Sequence, residues 1–145
     1  MSQVAQLGHG TDTGKKRRRN EDDYVVEPPL FAIADGMGGA QAGELASSLA
    51  AGAVRGGEGT PGSGESRVVD LIQEANRRVY QRSSQDAAVS GMGTTMTVAL
   101  VEDETVVFGH VGDSRAYLIR DGKLEQLTED HSLVAELVFR REPGA

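Results

Sequence analysis

Residues 30–39 read Leu30-Phe31-Ala32-Ile33-Ala34-Asp35-Gly36-Met37-Gly38-Gly39. Five apolar residues in a row, followed at once by turn formers, predict a short buried strand. The strand is expected to end in the glycine-rich loop that Asp35 opens. Upstream, Pro28-Pro29 predicts a turn, and Tyr24-Val25-Val26 a strand before it. Downstream, Ala42, Leu45, Ala46, Leu49, Ala50, Ala53 and Val54 recur at the i, i+3, i+4 spacing of an amphipathic helix. Val68, Leu71, Ile72, Ala75 and Val79 repeat that pattern. The segment between the two helices, GGEGTPGSGES at 56–66, has the low complexity of a flexible surface loop.

The period then changes. Residues 94–101, 105–111 and 115–120 alternate and are rich in Thr, Val, Ile and Tyr. Asp121-Gly122 forms a hairpin turn into residues 123–128. This predicts an antiparallel meander. The stretch up to about Gly10 reads as a weakly patterned edge strand, and residues 131–141 as the start of a last helix. Strands, two helices and more strands, with no internal repeat, predict an α+β fold in layers.

A length of 145 residues fits one domain or part of one. Aromatic residues are 4% of the chain, so the core must be built from Val, Ala, Leu and Met. Nineteen glycines, about twice the usual share, call for tight turns or close backbone approach. No apolar run reaches the roughly 18 residues of a membrane-spanning helix. No signal peptide is visible at the N-terminus, and a cytoplasmic protein is expected. Zero cysteines exclude disulfides, thiolate metal sites and cysteine nucleophiles. A net charge of −7 argues against nucleic acid as a partner and suits a carboxylate-lined site for hard cations.

Glu21, Asp22, Asp35 and Asp113 fall at strand ends or in tight loops. Carboxylates gathered there repel one another unless a cation holds them. Mg²⁺ and Mn²⁺ take oxygen ligands, and a pair of them can generate a hydroxide and clamp a phosphoryl group. Taken singly, each Asp reads first as a cap or turn former. The basic run Lys15-Lys16-Arg17-Arg18-Arg19 is either a solvated face or the source of one inward, phosphate-binding arginine. Gly36-Met37-Gly38-Gly39 lacks the spacing of a dinucleotide-binding loop. His110 alternates within a strand and reads as a packed, hydrogen-bonded residue.

In combination these segments become specific. Asp12-x-Gly14-x-x-Arg17-x-x-Asn20-Glu21-Asp22 comes first. Ala34-Asp35-Gly36-Met37-Gly38-Gly39 follows, with Gly43-Glu44-x-Ala46-Ser47. Gly91-Met92-Gly93-Thr94-Thr95, Val111-Gly112-Asp113-Ser114-Arg115-x-Tyr117 and Leu127-Thr128-x-Asp130-His131-Ser132 complete the order. Together they resemble the bacterial branch of the metal-dependent PPM/PP2C serine/threonine protein phosphatases. The resemblance implies a four-layer α-β-β-α sandwich of antiparallel sheets with a binuclear Mn²⁺ or Mg²⁺ centre at one end. It implies that Asp35 bridges the metals and that the Gly36 carbonyl binds one of them. Glu21 serves the second metal, Asp22 supports the site, Asp113 holds a weaker third metal and Arg17 binds phosphate. Arg115 and Thr94-Thr95 are expected to hold the scaffold. A metal-bound hydroxide would attack phosphorus in phosphoserine or phosphothreonine of a protein, in opposition to a Ser/Thr kinase.

Two departures accompany the match. Met37 and Ala40 stand where relatives carry histidine. The family's later Ser-Asp-Gly and Asp-Asn segments do not occur here, so the C-terminal part of the domain is expected to be missing. By this family resemblance the chain is a phosphatase, and three readings of it stay open: an active enzyme, an inactive fragment, or a non-catalytic module that binds phosphoproteins or a partner. Its open sheet edges would invite self-association.

Overall fold

The computed structural model describes residues 4, 6–15, 20–38, 40–57, 62, 64–102, 105–130 and 132–140, with the side chains of 40 and 132–140 left aside. Strands β1 (Asp22–Glu27) and β2 (Leu30–Met37) precede two helices, α1 (Ala40–Arg55) and α2 (Gly64–Gln85). A single helical turn at Ala87–Val89 leads to β3 (Gly93–Thr94), β4 (Met96–Glu102) and β5 (Thr105–Gly112). Strands β6 (Tyr117–Arg120), β7 (Lys123–Gln126) and β8 (Ser132–Arg140) complete the order.

The main sheet runs β1-β2-β4-β5-β8, all antiparallel, with β3 paired to the end of β2. In β2, Leu30, Ala32 and Ala34 are buried, and with Val98, Leu100 and Val107 they form the floor on which the helices lie. The small Ala46, Ala50, Ala51 and Ala53 of α1, each under 5% exposed, let this helix approach the sheet closely. Helix α2 adds Val68, Leu71, Ile72 and Ala75. No aromatic ring belongs to this core among the described residues, as the composition requires. The result is one helix layer on one main sheet, with the β6–β7 hairpin beside them. Among the described residues no helix is long and apolar enough to cross a membrane.

Several expectations are corrected. Residues 6–10 form no strand; His9 instead lays its ring against Tyr24, with centroids 5.0 Å apart. Strand β2 does not stop at Asp35. It continues to Met37 because β3 supplies a partner for Gly36 and Met37. Helix α2 starts at Gly64, so the loop proposed at 56–66 ends earlier; residues 58–61 and 63 lie outside the described ones. The meander breaks after β5, since among the described residues β6 and β7 pair only with each other. Their turn has the expected chemistry, with Asp121 and Gly122 both at positive φ. Residues 132–140 form a strand on β5 rather than a helix. Pairing there covers an edge of β5 that would otherwise be open.

His110 is fully buried. Its Nε2 lies 3.1 Å from the Glu129 carbonyl, which can only accept, so Nε2–H is the donor. Nδ1 lies 3.0 Å from Thr97 Oγ1. The ring thus ties β4 and β5 to the loop after β7.

The solvent face of α2 carries a charge cluster. Glu74 accepts from Arg77 (2.6 and 2.9 Å) and Arg78 (3.0 Å). These bonds, Arg77 first, hold its carboxyl down from 4.5 to about 2. A depressed carboxylate stabilises fully above its ordinary pKa, and the contribution fades as pH falls through the folded value. An NMR titration of Glu74 is therefore expected to show a midpoint near 2, returning toward 4.5 in the Arg77→Ala/Arg78→Ala double variant.

Candidate metal centre

The two-residue turn Pro28-Pro29 pairs Glu27 with Leu30, and the same register places Asp22 opposite Asp35. Opposed residues of an antiparallel pair project from the same face, with Cβ atoms about 5 Å apart. That face points away from the helices, since Ala34 and Gly36, the neighbours of Asp35, are buried on the helix side. Two carboxylates are therefore held side by side at one end of the sheet.

Asp35 is fixed through its main chain. Its N–H donates to Thr95 Oγ1 (3.0 Å), and its carbonyl accepts from Thr95 N–H (2.9 Å). Thr95 Oγ1 also shares a hydrogen with Ser114 Oγ at 2.8 Å. On the other strand, Asp22 N–H donates to Asn20 Oδ1 (3.0 Å), and Asn20 Nδ2 donates to Thr11 Oγ1 (2.6 Å). A cavity of about 250 Å³ opens here, lined by Thr11, Asp22, Asp23, Asp35 and Ser114 among others. Asp23 is engaged elsewhere, its Oδ1 accepting from Tyr24 N–H and from Arg55 of α1.

Gly36 has a packing role. A Cβ there would lie 1.9 Å from the Gly43 carbonyl oxygen of α1 and 2.8 Å from the Glu21 oxygen. Its N–H donates to that Glu21 oxygen at 3.0 Å. The absence of a side chain is thus required for α1 to seat on β2, a reason beyond the freeing of its carbonyl for a metal.

The other predicted residues are distributed differently. The Glu21 carboxylate lies against Gly43, since a Cβ on that glycine would meet Glu21 Oε1 at 2.6 Å; Glu21 does not line the cavity of Asp22 and Asp35. Asp113 is exposed in the turn after β5, one residue from Ser114, which does line it. Arg17 lies outside the described residues. Among the described residues, no three His, Asp or Glu side chains converge as a metal cluster. Arg115 binds Asp130 through two bonds of 2.9 and 2.6 Å. That carboxylate, and Tyr117 after it, raise the guanidinium pKa further. The sequence reading assigned no role to Ser114 or Asn20. Both stand inside the matched motifs, Ser114 in the tight turn Gly112-Asp113-Ser114 and Asn20 as the Asx residue before a strand, but no local pattern announces what they bind.

The donors fit a hard divalent cation. Among the described residues the walls offer carboxylate and hydroxyl oxygens and no sulfur, which suits Mg²⁺ or Mn²⁺. Like charges opposed across two strands are unfavourable without a counter-charge.

The sequence model of the protein phosphatase 2C family matches residues 12–137. The serine/threonine phosphatase stp of Listeria monocytogenes serotype 4b is 39% identical over 139 residues, taking in 88% of this chain and 55% of that protein. The solved catalytic domain of the serine/threonine protein phosphatase PstP, in complex with two manganese ions, superposes with a TM-score of 0.76 at 36% identity, covering 82% of this chain and 53% of that one. The PPM Ser-Thr phosphatase MsPP from Mycobacterium smegmatis, in complex with cacodylate, gives 0.78 at 34% identity, covering 90% and 55%. The chain spans about half the length of these relatives.

Proposed function

The chain belongs to the protein phosphatase 2C family, and on that premise we propose that it carries the Asp22–Asp35 side of a metal-dependent phosphoserine/phosphothreonine hydrolase site. The observation that carries this reading is the cross-strand juxtaposition of Asp22 and Asp35, with Asp35 locked by Thr95. Asp22, Asp35 and the Gly36 carbonyl would hold Mn²⁺ or Mg²⁺, with Glu21 and Asp113 in support and Arg17 binding the phosphate. Bound cations would supply Lewis acidity toward the phosphoryl oxygens and acidify a water for in-line displacement.

The chain's own residues set the position of that chemistry. Thr95, itself bonded to Ser114, holds the Asp35 backbone, and Asn20 holds that of Asp22. Asp22 and Asp35 repel a phosphate dianion, so bound cations would aid its approach as well as its reaction. The substrates are phosphorylated Ser/Thr proteins, and the enzyme would oppose a Ser/Thr kinase.

The test is hydrolysis of p-nitrophenyl phosphate and of a phosphothreonine peptide, alongside calorimetric Mn²⁺ binding. Turnover is expected only with Mn²⁺, lost on addition of EDTA and restored by excess metal. Metal-independent turnover would overturn the reading. Phosphopeptide binding without hydrolysis at saturating Mn²⁺ would assign the chain to a non-catalytic binding module instead.

A further inference from the structure

A second cavity, of about 510 Å³, lies on the helix side of the sheet between α2, β3 and β4. Its volume is within the range of about 300–1,000 Å³ typical of small-molecule sites. Its apolar walls come from Ile72, Ala75, Val79, Met92, Met96 and Val111. Polar groups stand mainly along α2, where Gln73 and Asn76 are exposed at the mouth. Among the described residues no charged side chain lines it. Burying a charge there without a partner would be costly, which excludes phosphoesters and selects a neutral ligand. Met92 and Met96 are flexible and polarizable and adapt to an aromatic body.

One wall reaches the candidate metal centre. Gly93 and Thr94 of β3 line the cavity and also pair with Met37 and Gly36 of β2. Thr95, next in the chain, makes both main-chain bonds to Asp35. A molecule wedged between α2 and β3 bears on the strand that positions Asp35.

We propose that this cavity binds a neutral small molecule with an apolar ring body and one hydrogen-bonding end, and that β3 transmits its occupancy to Asp35 and Gly36. The site is distinct from the phosphate site in both place and ligand chemistry. The coupling is to the backbone of Asp35 and does not require that a metal be bound.

The test uses 4-phenylphenol as probe with methyl-labelled methionine and amide NMR on the metal-free chain. The Met92 and Met96 methyl signals are expected to shift saturably, with a Kd of about 0.1 mM. The Asp35 and Gly36 amide signals are expected to move with the same midpoint. Val79→Trp, which fills the cavity, is expected to abolish all four shifts. Should that variant fail to fold, Asn76→Leu at the exposed mouth is expected to weaken binding at least about fivefold. Absence of methyl shifts at millimolar probe would overturn the site. Methyl shifts with unmoved Asp35 and Gly36 amides would overturn the coupling. Because both readouts are metal-free, failure of Mn²⁺ binding or of turnover bears on the phosphatase reading alone.

Discussion

Asp35→Asn is expected to lower Mn²⁺-dependent turnover by more than about 100-fold, while raising the metal-free stability of the chain by about 0.5 kcal/mol. The two effects have one cause. Asp35 stands opposite Asp22 on adjacent strands, so neutralising it removes both a like-charge contact and a carboxylate that would hold the cation. The amide is close to isosteric, and both bonds to Thr95 run through the main chain and survive the change. The pairing of lost activity with gained stability is what separates a site kept for function from a turn-forming aspartate. The measurement is urea unfolding in EDTA and in Mn²⁺, together with phosphatase assays. In wild type, Mn²⁺ is expected to raise the midpoint by mass action; in the variant it is expected to raise it far less. A variant that kept its turnover would sink the assignment of Asp35. A loss of metal-free stability would show instead that the aspartate is structural.

Gly36→Ala is expected to cost about 3 kcal/mol or more. The added methyl would lie 1.9 Å from the Gly43 oxygen, 2.5 Å from the Gly43 carbonyl carbon and 2.8 Å from the Glu21 oxygen. All three are backbone atoms, so no rotamer change relieves the contact. Helix α1 must lift from β2, and the Glu21 carbonyl, which accepts the 3.0 Å bond from Gly36 N–H, must move back from the methyl. Gly91→Ala is the control. Nothing lies within 4 Å of a Cβ there, and the change is expected to stay within about 0.5 kcal/mol. Both are read from urea midpoints at constant m-value. A cost under about 1 kcal/mol for Gly36→Ala would mean that α1 does not seat on β2 as described.

Much of this organisation was legible along the chain. The apolar run 30–34, the 3.6-residue spacing in α1 and α2, and the alternation in β4 and β5 each report on neighbours a few residues apart. Even the Asp22–Asp35 pair was latent. With Pro28-Pro29 as a two-residue turn, the register of β1 on β2 follows, and it sets those two residues opposite each other. The family motifs named Asp35 and Gly36 together, although the packing reason for the glycine was out of reach because Gly43 sits on the next element.

Other features were decided only by contacts between distant parts. The bond from Asp35 to Thr95 spans 60 residues, and no local pattern announces it. Strand β2 runs on through Gly36 because β3, far along the chain, pairs with it. Residues 132–140 carry an apolar pattern that serves a helix or a strand, and the edge of β5 selected the strand. The β6–β7 hairpin has the expected turn but leaves the main sheet. Amino-acid order by itself determined that residues 30–34 extend, that the α1 and α2 segments coil and which residue types could hold a cation, because propensity and turn chemistry are local. Tertiary structure alone decided which carboxylates meet and what fixes them, because that depends on how closely packed elements exclude or admit each other's atoms.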